Sequence, residues 1–458
     1  MFGLWFTGGY KTVDGKRVYR DPPDIEHTGY NRVRKQLCAI LRRGGMGVRN
    51  CGPPPVGVDF VQVAHAPLFR HLEPTIWERQ ADRAIVYTTW EASRLPVSWV
   101  EAINEFDACF TTSEWSKQNF IDDGVTVPIF VVHHGVDPGA FPPIWRPHRD
   151  TFTFLWQGMS PGPIYPMTLD EPVVPPAVEV PVGTNVPPWF MAVGKDPYSE
   201  AAIAARSVRS SEGDRKQALL VREAFLRLRE SGEIKDDARL ILKWTTVFNK
   251  RWEISNYPLD GTLIDTYGAK FSPDDMRAIL LNSDVSVNPY RAEGFGMIPL
   301  EHMATGLPTI QTEYSGPMDY LETMDGNYLG LTPVMGPSFF DQQARRAPVC
   351  GRGADPVDAE FGEYLTTQSD LGEDAQVDIG ELMERMLFAY KHREAVKDMG
   401  LRASALVHKQ WSWERAFQQV VDALRELGWL DDLMWSHRGY EERKTSIINP
   451  SRHRVEAR

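Results

Sequence analysis

Glu293 and Glu301 are the residues on which chemistry can be built. They stand in the stretch from Asp284 to Tyr320, where an alternating apolar strand around Val285 and Val287 passes through Pro289 and Tyr290 into Glu293-Gly294-Phe295-Gly296. A helix is expected to start there. Pro299 falls in its first turn, where no backbone donor is lost, and Leu300, Met303 and Ala304 follow at helical spacing. Gly306-Leu307-Pro308 stops the helix, and Thr309-Ile310 opens another strand. A strand that feeds a glycine turn into a helix N-terminus offers free backbone N–H groups and a positive dipole end to a phosphate or a hydroxylated ligand. Glu293 lies on the turn. Glu301, eight residues on, is expected two turns along the helix, so both carboxylates can face one crevice and accept hydrogen bonds from neighbouring hydroxyls. The same spacing also fits an ordinary strand-loop-helix unit with two surface glutamates.

The full string EGFGMIPLEHMATGLPTI resembles the donor-site signature of family 4 of the retaining, GT-B-type glycosyltransferases. The resemblance implies that Glu293 and the turn Gly294, Phe295, Gly296 and Met297 meet the donor sugar, and that Glu301 meets the ribose of the nucleotide. It places Arg215 and Lys216, just before the helix QALLVREAFLRLRE, where cations hold the donor diphosphate. Fixed cations stabilise a departing diphosphate as its negative charge grows, without a metal. Tyr267, in the loop Tyr267-Gly268, falls where relatives meet the base. Upstream, SRLP, TTSEW and the closing HHGVD resemble the N-terminal domain of the same family, with Trp90-Glu91 standing where many relatives carry His-Asp. Glu91 is therefore the acceptor-side polar residue, and Glu293, Lys216 and Glu91 form the implied catalytic set. His65, at a strand end, is the alternative to Glu91. The implied co-substrate is a nucleoside-diphosphate sugar with no further cofactor and no metal. The acceptor stays open among a lipid, a glycan, a protein, a modified nucleic-acid base and a small metabolite. A catalytically inactive nucleotide-sugar-binding protein of the same fold is the competing reading, and the presence of Glu293, Arg215 and Lys216 favours the enzyme.

These residues need a scaffold, and 458 residues with 42% hydrophobic and 24% charged content are enough for two soluble domains with separate cores. The expected class is α/β with GT-B architecture, two doubly wound Rossmann-like domains facing across a cleft. The first spans residues 1–147 and is completed by a C-terminal helix within 411–435. It opens with a strand at residues 3–7, a Gly8-Gly9 loop, a polar segment to His27 and a helix through RVRKQLCAILRRGG. Prolines 138, 142, 143 and 147 then read as a stiff linker. The donor domain, 151–410, starts with a strand at Phe152 to Trp156, followed by a proline-dense insertion over 159–212. Residues 436–458 read as a polar tail.

Several other classes are excluded. No run of 18 apolar residues occurs, and the first residues lack a basic start and an apolar centre, so a cytoplasmic protein is expected. Four scattered cysteines without a C-x-x-C pair argue against zinc or a disulfide framework. The net charge of -12 argues against a generic nucleic-acid binder. It is unevenly distributed, since the first fifty residues carry ten Lys/Arg against four acids, which suits an acceptor-side patch for an anionic partner as well as a solvated helix face. No Asp-x-Asp is present to hold a metal to a diphosphate. Gly158-Met159-Ser160-Pro161-Gly162 satisfies G-x-S-x-G, but Pro161 and Pro163 forbid the helix that a nucleophile elbow requires.

Overall fold

The computed structural model describes residues 2–7, 10–14, 16–19, 29–65, 76–159, 215–245, 263–265, 271–339 and 371–430. Tyr267, residues 160–212 of the insertion and the tail 436–458 lie outside them. The chain divides into two compact units, Met1–Glu91 with Leu95–Ala140 and His408–Arg458, and Ala92–Arg94 with Phe141–Val407.

The first unit runs β1 (Phe2–Phe6), β2 (Tyr10–Val13), β3 (Lys16–Tyr19), α1 (Gly29–Arg43), β4 (Gly47–Asn50), β5 (Asp59–His65), β6 (Ala84–Tyr87), α2 (Val97–Asn104), β7 (Ala108–Thr111), α3 (Glu114–Asp122) and β8 (Ile129–Val131). Six strands stand in the order β4-β1-β5-β6-β7-β8, every neighbouring pair parallel. β6 and β7 are buried at every residue, as strands covered on both faces must be. β2 and β3 form an antiparallel hairpin inside the segment expected to be merely polar, turning at Asp14 with φ 50°. The reason is chemical: Asp-Gly at positions 14 and 15 is, in sequence, a strong signal for a two-residue hairpin turn between strand-forming residues.

The second unit contains β9 (Phe152–Met159), α4 (Ala218–Glu230), β10 (Ala238–Thr245), β11 (Leu263–Asp265), α5 (Pro273–Leu281), β12 (Val285–Asn288), α6 (Met297–Ala304), β13 (Thr309–Thr312), α7 (Met318–Leu321), β14 (Leu329–Leu331), the antiparallel pair β15 (Val334–Pro337) and β16 (Glu373–Gln376), α8 (Ile379–Lys391) and most of α9 (Arg393–Gln410). Its main sheet is again six-stranded and parallel, ordered β11-β10-β9-β12-β13-β14. Residues alternate between its faces. Phe152, Phe154 and Trp156 of β9 join Leu240 and Leu242 under α4 and α8, while Leu155 joins Ile241, Leu280 and Leu307 on the other side. The units part at Ala140/Phe141, earlier than the expected 147/151, and the cause is local. Ile144 N–H donates to the Thr305 carbonyl at 3.0 Å, and the buried Arg146 donates to the carbonyls of Thr305 at 2.8 Å and Leu280 at 3.2 Å. Pro142, Pro143 and Pro147 thus belong to the second unit rather than spanning free space.

The chain re-enters the first unit at His408, and its last described helix is α10 (Trp413–Glu426), capped by Ser412. Phe417 of α10 lies so close to Gly44, at the end of α1, that a Cβ there would meet its ring at 2.3 Å. Both sheets are therefore Rossmann-like, each reversing its strand order beside its first strand. Such a reversal leaves a crevice at the carboxyl ends, between β1 and β5 in the first unit and between β9 and β12 in the second. Among the described residues no helix is long and apolar enough to cross a membrane.

Candidate functional site

At the second unit's reversal, the strand ends position two cations against one carboxylate. The indole N–H of Trp156 donates to the Lys216 carbonyl at 2.8 Å, and the Arg291 N–H donates to the Arg215 carbonyl at 3.1 Å. These bonds tie Arg215-Lys216 to β9 and to the loop after β12. Gln217 then takes the left-handed conformation, and α4 begins at Ala218. Both cations are buried, yet they converge on Glu293. The Lys216 ammonium pairs with Glu293 Oε1, and Arg215 Nη1 lies 4.0 Å from the same oxygen while donating to the Ala292 carbonyl at 3.4 Å. The Lys216 ammonium also sits 4.6 Å over the Tyr290 ring, whose hydroxyl donates to the Gln157 carbonyl.

The turn that carries Glu293 is held by close backbone approach. Glu293 N–H donates to Ser315 Oγ at 3.0 Å, and Gly316 N–H donates to the Glu293 carbonyl at 3.0 Å. A Cβ on Gly316 would stand 2.2 Å from the Gly294 carbonyl oxygen, so only glycine lets the loop after β13 close on the turn. Gly296 precedes α6 with φ 82°, and the Tyr320 hydroxyl donates to its carbonyl at 3.2 Å. Phe295 is buried, edge-on to Tyr320 with centroids 5.7 Å apart, so its side chain anchors the turn from the interior. Gly294 is buried as well, and Met297 is partly exposed as the first residue of α6.

Glu301 differs from the expectation in one respect. The turn runs through Gly296 and α6 starts only at Met297, so Glu301 lies one helical turn in rather than two, and it is buried. Arg215, Lys216 and Glu293 are brought together. Glu91 is a residue of the first unit, partly buried and next to Trp90, whose ring packs 5.1 Å from Trp99. His65 ends β5, buried, also in the first unit.

Two supports went unread in the sequence. Arg291, two residues before Glu293, forms a fully buried ion pair with Asp374 of β16 at 2.6 Å, and Asp374 also accepts from Phe339 N–H at 2.7 Å. The arginine is legible on its loop, but a partner 83 positions away has no local signal. His302, next to Glu301, donates from Nε2 to Gln157 Oε1 at 3.1 Å and accepts at Nδ1 from Ser286 Oγ at 2.7 Å, which itself accepts from Asn288 Nδ2 at 2.7 Å. Since the Gln157 oxygen can only accept, the tautomer follows. Burial pushes this imidazole down to about 3, with Arg146 and Lys243 adding to the effect, so it is a neutral clasp joining α6, β9 and β12. The arrangement suits an anionic ligand. Two buried cations face the Glu293 carboxylate, and α6 adds an N-terminus with no acid in its first turn.

Residues 214–333 match the family model described as glycosyl transferases group 1. The chain also resembles solved structures. Sucrose-phosphate synthase from Thermosynechococcus elongatus superposes with a TM-score of 0.52 at 11% identity, over 93% of this chain and 99% of that one. HepE from Anabaena in complex with UDP gives a TM-score of 0.48 at 10% identity, over 93% of this chain and 100% of that one. A glycosyltransferase from Rickettsia africae gives 0.47 at 11% identity, over 93% and 98%. The likeness to the synthase is one of fold, and with the two parallel sheets it identifies the GT-B class. No curated protein sequence matches the chain.

Proposed function

We propose that this chain, whose residues 214–333 match the glycosyl transferases group 1 model, transfers a glycosyl group from a nucleoside-diphosphate sugar to an acceptor, with retention of configuration and no required metal. The observation that carries this reading is the convergence of Arg215 and Lys216 on Glu293 at the carboxyl ends of β9 and β12. In this reading residues 151–410 form the donor domain, and residues 1–147 with the helix in 411–435 form the acceptor side.

The diphosphate of the donor displaces the Glu293 carboxylate from Lys216 and Arg215. As the bond to the sugar breaks, negative charge grows on the departing diphosphate, and the two cations, already desolvated and fixed by their backbone bonds, stabilise it without reorganising. Glu293, released from its ion pair, faces a sugar whose transition state is oxocarbenium-like and positive. The buried Glu301 accepts from the ribose, Gly294 to Met297 line the sugar through the backbone, Tyr267 meets the base, and Glu91 serves the acceptor.

A panel of UDP-, GDP- and ADP-sugars incubated with the protein tests this through slow donor hydrolysis, with and without EDTA. Hydrolysis of one donor that persists in EDTA is expected. Hydrolysis that requires added Mn²⁺, or no binding of any nucleoside diphosphate, would overturn the proposal.

A further inference from the structure

The first unit has a reversal of its own, and a buried cation stands there with no counter-charge among the described residues. α1 connects toward β4, the parallel neighbour of β1, so its N-terminus lies at the carboxyl ends of the strands, and its first turn carries no acid. Arg34 is only 6% exposed. Helical side chains lean toward the N-terminus, and the guanidinium of Arg34 does so, donating to Asn31 Oδ1 at 3.2 Å. That is its one hydrogen bond among the described residues, and no carboxylate pairs with it. A guanidinium has five donors, and burying one without an anion is strongly unfavourable.

The described groups around Arg34 supply no negative charge. His65, at the end of β5, is held well below its ordinary range by burial, with Arg34 and His134 adding to the effect, so it is neutral. Burial pushes the Cys38 thiol up to about 12, which keeps it protonated. Tyr87 is raised by burial too, and its hydroxyl is engaged with the Val132 carbonyl at 2.7 Å. Of the other ionisable groups acting on Cys38 and His134, Arg42 and Arg32 are cations, His133 is an imidazole, and the Cys51 thiol donates to Asn50 Oδ1 at 3.6 Å. The His65 ring lies between Tyr30, 5.2 Å away, and Tyr87, 5.0 Å away, which gives the crevice an aromatic wall beside the cation.

We propose that the crevice at the carboxyl ends of β1 and β5 is an oxyanion site, in which Arg34 receives a carboxylate or phosphate group carried by the acceptor. Assigning the anion to the acceptor rests on the glycosyl-transfer reading, whereas the anion site itself does not. The basic excess of the first fifty residues gives such a ligand a favourable field on approach.

The test titrates inorganic phosphate and acetate into the full chain at constant ionic strength, read by calorimetry and by the imidazole resonances of His65, assigned with His65→Asn. One probe is expected to bind and to shift His65. Arg34→Lys should retain the His65 shift, Arg34→Gln should weaken the affinity it reports about tenfold or more, and Lys216→Ala should leave the shift intact. Preference for phosphate marks a phosphorylated acceptor and preference for acetate a carboxylated one. A His65 shift unchanged in Arg34→Gln, a His65 shift lost in Lys216→Ala, or His65 resonances that do not move at saturation would overturn the assignment. Should Arg34→Gln not fold, the wild-type His65 response and Lys216→Ala decide. UDP binding, measured on the same samples, reports on the donor site alone, so its failure and failure of the anion site are separable.

Discussion

Replacing Glu293 with glutamine keeps the shape of the turn and removes one charge, and the ion-pair geometry makes its effects run in opposite directions. Glu293 is 12% exposed at its side chain and Lys216 and Arg215 still less, so the three charges interact in a medium far less polar than water. At an effective dielectric of about 20, two unit charges 4.0 Å apart attract by about 4 kcal/mol. Desolvation offsets much of this, but losing one partner from a pair so buried leaves the other charges uncompensated, which lowers stability by about 3 kcal/mol. The unfolding midpoint in urea at pH 7 should fall accordingly. The same two cations no longer have a carboxylate for the diphosphate to displace. If about 1.4 kcal/mol of the lost attraction is recovered on binding, the nucleoside diphosphate binds about tenfold more tightly in Glu293→Gln. Turnover should nevertheless drop by roughly 10² to 10³, because the charge beside the reacting sugar is gone. Calorimetry with UDP, GDP and ADP, combined with donor-hydrolysis rates, reads both quantities. If nucleotide affinity fell together with turnover, the carboxylate would be holding the ligand rather than competing with it, and the displacement argument would fail.

Glu301→Ala should raise KM for the donor more than it lowers kcat, by ~1 to 3 kcal/mol for lost hydrogen bonds to a charged acceptor; an effect confined to kcat would remove Glu301 from the ribose. Gly316→Ala would place a methyl 2.2 Å from the Gly294 oxygen, so the turn must move, and nucleotide binding and thermal midpoint should drop together, whereas an unchanged midpoint would show the contact to be compliant. Arg291→Ala leaves the Asp374 carboxylate buried and unpaired and should cost about 3 to 5 kcal/mol in urea unfolding, with Arg291→Met plus Asp374→Leu recovering part of it. His302 has a folded pKa of about 3, below its unfolded value, so its contribution is present above about pH 6.5 and lost as pH falls toward 3. His302→Gln should therefore flatten the fall in stability between pH 7 and 5, and an unaltered slope would place the acid sensitivity elsewhere.

The regular part of the fold was legible because parallel α/β units repeat one pattern, an apolar run, a polar break and an amphipathic helix. Strands and helices from β5 to β8 and from β12 to β13 were readable on that basis. What escaped notice has identifiable causes. The β2-β3 hairpin was announced by Asp14-Gly15, a local signal overlooked in a polar segment. The approach of Gly316 to Gly294 and the pairing of Arg291 with Asp374 are contacts between distant segments, and no periodicity encodes them. Glu301 was misplaced by one helical turn because the count started at the glycines, whereas α6 starts after them. The convergence of Arg215 and Lys216 on Glu293 depends on the strand order β10-β9-β12, which spacing along the chain does not state.

The bond from the Trp156 indole to the Lys216 carbonyl, with that from Arg291 to Arg215, has an evolutionary consequence. Met159 ends β9 and Arg215 opens the next described segment, so the two positions that flank residues 160–214 are fastened together by groups outside that stretch. Closing a longer excursion adds only about 0.6 kcal/mol per doubling. Lineages could therefore lengthen, shorten or rewrite this stretch, and so diversify whatever it meets, while the cations at its exit keep their register with Glu293.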